Sequence, residues 1–162
     1  MTASLAFSEG PVLVAVDFSA DSGTALVWAA RQAEIEPAPL VILHVVHDPA
    51  ASPGFYRKPG EDWLRPMIDV ATDMMAEFVT TARAEHPDLP ALASAQTRLV
   101  AGLPAGRIAE VAKETGARLV VIGSRGRTGL QSILLGSVAE RVVQICPVPV
   151  VVVKTMARQA GA

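Results

Sequence analysis

At 162 residues the chain has the length of one ordinary domain, enough to enclose a substantial core and short for two. A formal charge of −2 and a pI near 5.9 give no general attraction to nucleic acid or to an anionic membrane, and a single cysteine, Cys146, excludes an intramolecular disulfide. Met1 to Gly10 lacks the basic start and apolar run of a secretory leader, and no stretch reaches membrane-spanning length, so a soluble cytoplasmic protein is expected.

Residues 1–10 and 155–162 read as tails, and 11–154 as one domain in which short β-branched runs alternate with longer amphipathic ones. Val12 to Asp17 is the first strand. Ser22 to Glu34 follows as a helix capped by Asp21 or Ser22, with Leu26, Ala29, Ala30 and Ala33 turned inward. Leu40 to Val46 is the second strand. His44 and His47 are spaced so that an extended chain sends them to opposite faces, which argues against a shared metal. Asp48 to Gly60 is dense in turn formers and reads either as a lid over the strand ends or as a connection of variable length; Arg57 or Lys58 could reach a phosphate from it.

A second helix starts between Glu61 and Arg65 and carries Leu64, Met67, Ile68, Ala71, Met74, Met75, Phe78 and Ala82 on one face, its methionines serving as core filler. Ala93 to Val100 is the third strand. Pro104 opens a third helix, with Ile108, Val111 and Ala112 inward and its end near Gly116. Leu119 to Ile122, Ser137 to Ile145 and Val148 to Val153 complete the series as strand, helix and strand, with Cys146 a packed apolar thiol. Because four of the strands are almost continuously apolar, they suit a parallel sheet covered on both faces. The alternation therefore predicts an α/β fold, a three-layer sandwich with a five-stranded parallel sheet and right-handed crossovers.

The segment from Gly123 to Ser137 holds the densest chemical information. Gly123 and Gly126 lack Cβ atoms, so the chain can turn there with positive φ and let a ligand approach the backbone. Ser137-Val138-Ala139-Glu140 matches a capping box, so the hydroxyl either caps the helix or serves an anion drawn to the free N–H groups at its start. Arg125 and Arg127 are local ligand contacts or solvated loop charges. The spacing is neither the dinucleotide fingerprint nor the lysine-containing phosphate loop.

Gly123, two residues, Gly126, nine residues and then Gly136-Ser137 resembles the nucleotide-binding pattern of the ATP-binding universal stress proteins. Val12 to Ser19 and Pro147 to Val153 resemble that family's first and last strands. The resemblance implies strand order 3-2-1-4-5 in a Rossmann-like sheet of the adenine nucleotide alpha-hydrolase-like kind, with Asp17 and Gly123 converging at the topological switch point. It also implies that Asp17 lies beside the adenosine and that the backbone of Ala15 and Val45 lines the adenine pocket. Ile122, Gly123, Gly126, Gly136, Ser137 and Val138 would then surround ribose and phosphates, with Ser124 and Arg125 inside the loop but not at fixed motif positions.

The implied cofactor is ATP, or AMP or ADP, with any magnesium or manganese held through the phosphates. No catalytic pair or nucleophile elbow is visible, so the expected function is a sensor or regulator with slow hydrolysis or none. The alternatives are a nucleotide hydrolase or phosphoryl-transfer enzyme, and a nucleotide-independent interaction module. Pro149 marks Val148 to Val153 as an edge strand, through which both edge protection and the resemblance imply a homodimer.

Overall fold

The computed structural model describes residues 9–47, 67–126 and 135–155. The tails up to residue 8 and from 156, the segment 48–60 with Arg57 and Lys58, Leu64 and Arg127 lie outside the described residues. Elements run β1 (Val12–Ala15), α1 (Ala20–Ile35), β2 (Leu40–Val46), α2 (Met67–Glu85), α3 (Pro90–Ala93), β3 (Gln96–Ala101), α4 (Pro104–Glu114), β4 (Leu119–Gly123), α5 (Ser137–Ile145) and β5 (Val150–Val153). The strands form one parallel sheet in the order β3-β2-β1-β4-β5.

Strand alternation divides the apolar side chains between two cores. Val12, Val14, Ile42 and Val121 pack beneath α1, α2 and α3, while Leu13, Leu43, Val120 and Ile122 pack beneath α4 and α5. Both faces of the central strands are thus dry, which is why their sequences are continuous apolar runs rather than alternating ones. Small residues at Ala25, Ala29, Ala30 and Ala33 bring α1 close to the sheet, with Leu26 between them.

Several boundaries differ from the sequence reading for local reasons. Ser19, not Asp21 or Ser22, caps α1: its Oγ accepts the Ser22 N–H at 3.2 Å. The cap moves back because the Asp17 carboxylate closes a turn onto the Ser19 N–H at 3.0 Å, ending β1 early and starting the helix sooner. In α2 the buried stripe begins at Val70 and Ala71 and continues through Met75 and Val79, leaving Met67 and Ile68 exposed. The short α3 was not anticipated. Pro90 at its start, a buried Leu92 and the Glu34 carboxylate accepting the Ala91 N–H at 3.0 Å make this turn, and β3 consequently begins at Gln96.

Gly136 is the N-cap of α5, with no side-chain capping bond, and Ser137 is the first helical residue, so the Ser137–Glu140 capping box does not form. Pro147 and Pro149 shorten β5 to Val150–Val153, since neither has an N–H to donate. The bonds Val120 N–H to Pro149 O and Ser124 N–H to Val153 O turn the odd-numbered β5 residues toward β4. Val150 and Val152 therefore present their N–H and C=O groups to the open edge.

Candidate functional site

The carboxyl ends of β1, β2 and β4 and the start of α5 enclose a cavity of about 440 Å³. It lies where the chain leaves neighbouring strands β1 and β4 toward opposite faces, the crevice that an open α/β sheet offers to ligands. All the residues singled out from sequence and lying within the described ranges meet there. Ala15 and Asp17 come from the end of β1 and Val45 from β2. Ile122, Gly123, Ser124, Arg125 and Gly126 come from β4 and its following loop, and Gly136, Ser137 and Val138 from the α5 start.

The glycines matter through close approach rather than left-handed backbone. Positive φ occurs among the described residues at Gly102, Gly116 and Phe18, not at Gly123 or Gly126. A Cβ on Gly123 would lie 3.0 Å from the Asp21 carbonyl carbon and oxygen, where β4 abuts the first turn of α1. One on Gly126 would lie 3.1 Å from Asp17 Oδ2, and one on Gly136 would lie 3.3 Å from Ser124 O. The Gly136 N–H donates to that same oxygen at 2.6 Å, while the Ser124 N–H donates to Val153 O at 2.8 Å. These bonds close the loop on itself and pin its start to the sheet.

This closure sets the local electrostatics. Glu140 N–H makes the first helical bond, to Gly136 O at 2.9 Å, so the N–H groups of Ser137, Val138 and Ala139 have no acceptor within the helix. All three residues line the cavity, and the positive end of α5 is aimed into it. Arg125 adds a full charge whose direction is set by Asp21: Asp21 Oδ2 accepts the Arg125 Nε–H at 3.2 Å and lies 3.5 Å from Ser124 Oγ. The unpaired helix amides and Arg125 thus sit together on one wall of the cavity.

Across the cavity, the β1–β2 end sets apolar Ala15, Val16, Leu43 and Val45 beside Asp17, His44 and His47. The expectation that His44 and His47 point apart assumed that both were strand residues; β2 ends at Val46, and both line the cavity. His44 is buried, with Nδ1 2.8 Å from Val16 O. A carbonyl only accepts, so Nδ1 carries the proton in this bond. Val16, Pro104 and Ile108 also line the cavity and were missed, because nothing in an apolar residue's own sequence context marks it as facing a ligand. Among the described residues no group of three His, Cys, Asp or Glu side chains could hold a metal, and no helix is long and apolar enough to cross a membrane.

A profile of the universal stress protein family matches residues 10–154. Universal stress protein Rv2623 of Mycobacterium tuberculosis is 35% identical over 147 residues, covering 90% of this chain and 46% of that protein, so the chain spans about half the length of this curated relative. A universal stress protein solved in complex with cAMP superposes with a TM-score of 0.62 at 25% identity, over 92% of this chain and 99% of the other. The universal stress protein from Archaeoglobus fulgidus in complex with dAMP gives 0.57 at 27% identity, over 90% and 98%.

Proposed function

The chain belongs to the universal stress protein family, and we propose that within it this protein binds an adenine nucleotide, ATP first, and acts as a sensor or regulator rather than an efficient hydrolase. The observation that carries this reading is the juxtaposition of the open α5 N-terminus and Arg125 on one side of the cavity with Ala15, Val16, Leu43 and Val45 at the ends of β1 and β2 on the other. Phosphates suit the first wall and a base the second. Relatives in complex with cAMP and dAMP support the same ligand class.

Asp17 lines the cavity from just beyond β1, and in this reading its carboxylate accepts a hydrogen bond from a sugar hydroxyl or the base. The Asp21 carboxylate is already paired with Arg125, so a magnesium or manganese ion would be held through the nucleotide's own phosphates. Fast turnover requires a group that orients water and charges that stabilise the transferring phosphoryl group. On the phosphate wall the described site offers amides, Ser124, Ser137 and Arg125, while Asp17 is assigned to the nucleoside, which supports retention over fast turnover. We further propose a cytoplasmic homodimer that pairs the Val150 and Val152 edge of β5 with a second copy, covering a valine edge that pairs with no other strand among the described residues.

Identifying the nucleotide carried by gently purified protein, followed by calorimetric titration with ATP, AMP and GTP, tests the ligand. Retention of no nucleotide together with no heat on titration at millimolar ATP would favour an interaction module; magnesium-dependent turnover of many equivalents would favour a hydrolase.

A further inference from the structure

From the open end of the β1–β2 ladder, we infer that His44 is a positioning residue for base recognition, an inference that rests on the adenine-nucleotide reading above. Val12 N–H donates to Pro39 O and Val16 N–H to Leu43 O, so the even residues of β1 face the odd residues of β2. By the alternation of a parallel ladder, the next rung would run from Val45 N–H to Val16 O. That rung is not among the described backbone bonds, and the oxygen is instead held by His44 Nδ1–H at 2.8 Å. Val45 thus keeps its N–H and C=O directed toward β1 at the point where β1 has turned away, and it lines the cavity there.

The imidazole is fixed in this role from its other side. The Phe18 ring lies over it, with centroids 4.2 Å apart and planes tilted by 32°, and Phe78 meets Phe18 edge-on at 5.5 Å. Phe18 takes φ +65°, a left-handed conformation unfavourable for a bulky residue, and the turn that imposes it carries the chain from Asp17 into α1. His44 itself is 2% exposed, so its plane has little freedom.

An adjacent donor and acceptor on one residue match the adenine edge, where N1 accepts and the 6-amino group donates; guanine presents the opposite pattern there. His44 acts by withholding the Val16 carbonyl from Val45. Without the imidazole the ladder closes by one rung, the Val45 N–H is consumed, and the N1 contact disappears. A glutamine at position 44 carries an N–H that can serve the same carbonyl.

The test titrates wild type, His44→Leu and His44→Gln with ATP and with 1-deaza-ATP, in which N1 is replaced by C–H. Wild type should prefer ATP by about tenfold or more, the scale of one well-made hydrogen bond. His44→Leu should bring that ratio close to one, and His44→Gln should restore most of it. General damage to the pocket lowers both affinities and leaves the ratio alone. In parallel, hydrogen exchange at the Val45 amide of ligand-free protein should slow in His44→Leu as the extra rung forms; if leucine prevents folding, His44→Met serves for both measurements. An unchanged ratio and unchanged Val45 exchange overturn the role of His44. Wild type that binds neither nucleotide overturns the ligand reading, while the exchange measurement still decides whether His44 keeps the ladder open.

Discussion

Gly123 and Gly126 occupy equivalent-looking positions in the loop motif, yet alanine should be costly at the first and nearly neutral at the second. At Gly123 the new methyl would sit 3.0 Å from two backbone atoms of Asp21 and 3.2 Å from its Cβ. Ordinary carbon contacts begin near about 3.5 Å, so roughly half an ångström must be found. Neither side yields easily: Gly123 is in register with Val153, and Asp21 is in the first turn of α1 with its carboxylate on Arg125. Moving α1 off β4 resembles overpacking a core, about 1–3 kcal/mol, against about 0.4–1 kcal/mol gained by stiffening the unfolded chain. The net loss of about 1–2 kcal/mol corresponds to a midpoint lower by roughly 2–8 °C for a protein of this size.

At Gly126, among the described residues, the methyl meets the end of a side chain, Asp17 Oδ2 at 3.1 Å, rather than backbone, and a shift of a few tenths of an ångström relieves the contact. Stability there should stay within about 0.5 kcal/mol of wild type. Urea and thermal denaturation of the two variants in nucleotide-free buffer measure the contrast. A Gly123→Ala protein with the wild-type midpoint, or a Gly126→Ala protein destabilised as much as Gly123→Ala, would refute the packing argument.

Gly126→Val places two further carbons against Asp17 and should remove the rise in melting temperature that ATP gives to wild type, with helix content unchanged by circular dichroism. Asp17→Asn keeps a carbonyl oxygen for the Ser19 N–H but loses the charge, so it should weaken ATP binding by about 1–3 kcal/mol in calorimetry with a near-normal fold; Asp17→Ala should lose the turn as well and melt earlier. Arg125→Ala should lower the affinity for ATP several-fold while leaving that for adenosine unchanged, and equal losses for both ligands would remove Arg125 from the phosphate wall. Val152→Pro deletes an edge-facing N–H and should shift a dimer toward monomer in sedimentation, whereas Val151→Pro breaks the β4 ladder and should cost stability first.

Much of the architecture was legible because local chemistry and global packing agree along this chain. Runs such as Leu40 to Val46 are buried at every position and apolar at all but His44, a pattern that suits a sheet covered on both faces, and the alternation with helical stretches then points to parallel crossovers. The glycine spacing marked the loop, and the family resemblance placed it beside Asp17. What the chain alone could not show is which backbone groups remain unpaired. Ser137 resembles a cap but is the first helical residue, because Gly136 is drawn back onto Ser124 by a bond between residues far apart along the loop. His44 looked uninformative because its partner, the Val16 carbonyl, lies just beyond the end of another strand. Gly123 and Gly126 suggested unusual φ, whereas their constraint comes from close neighbours far away in sequence, the Asp21 backbone for Gly123 and the Asp17 carboxylate for Gly126. Periodicity and propensity are properties of neighbours in sequence, so they specify elements; the donors a ligand can use are those left over after distant strands and turns have paired, and that remainder exists only in the folded protein.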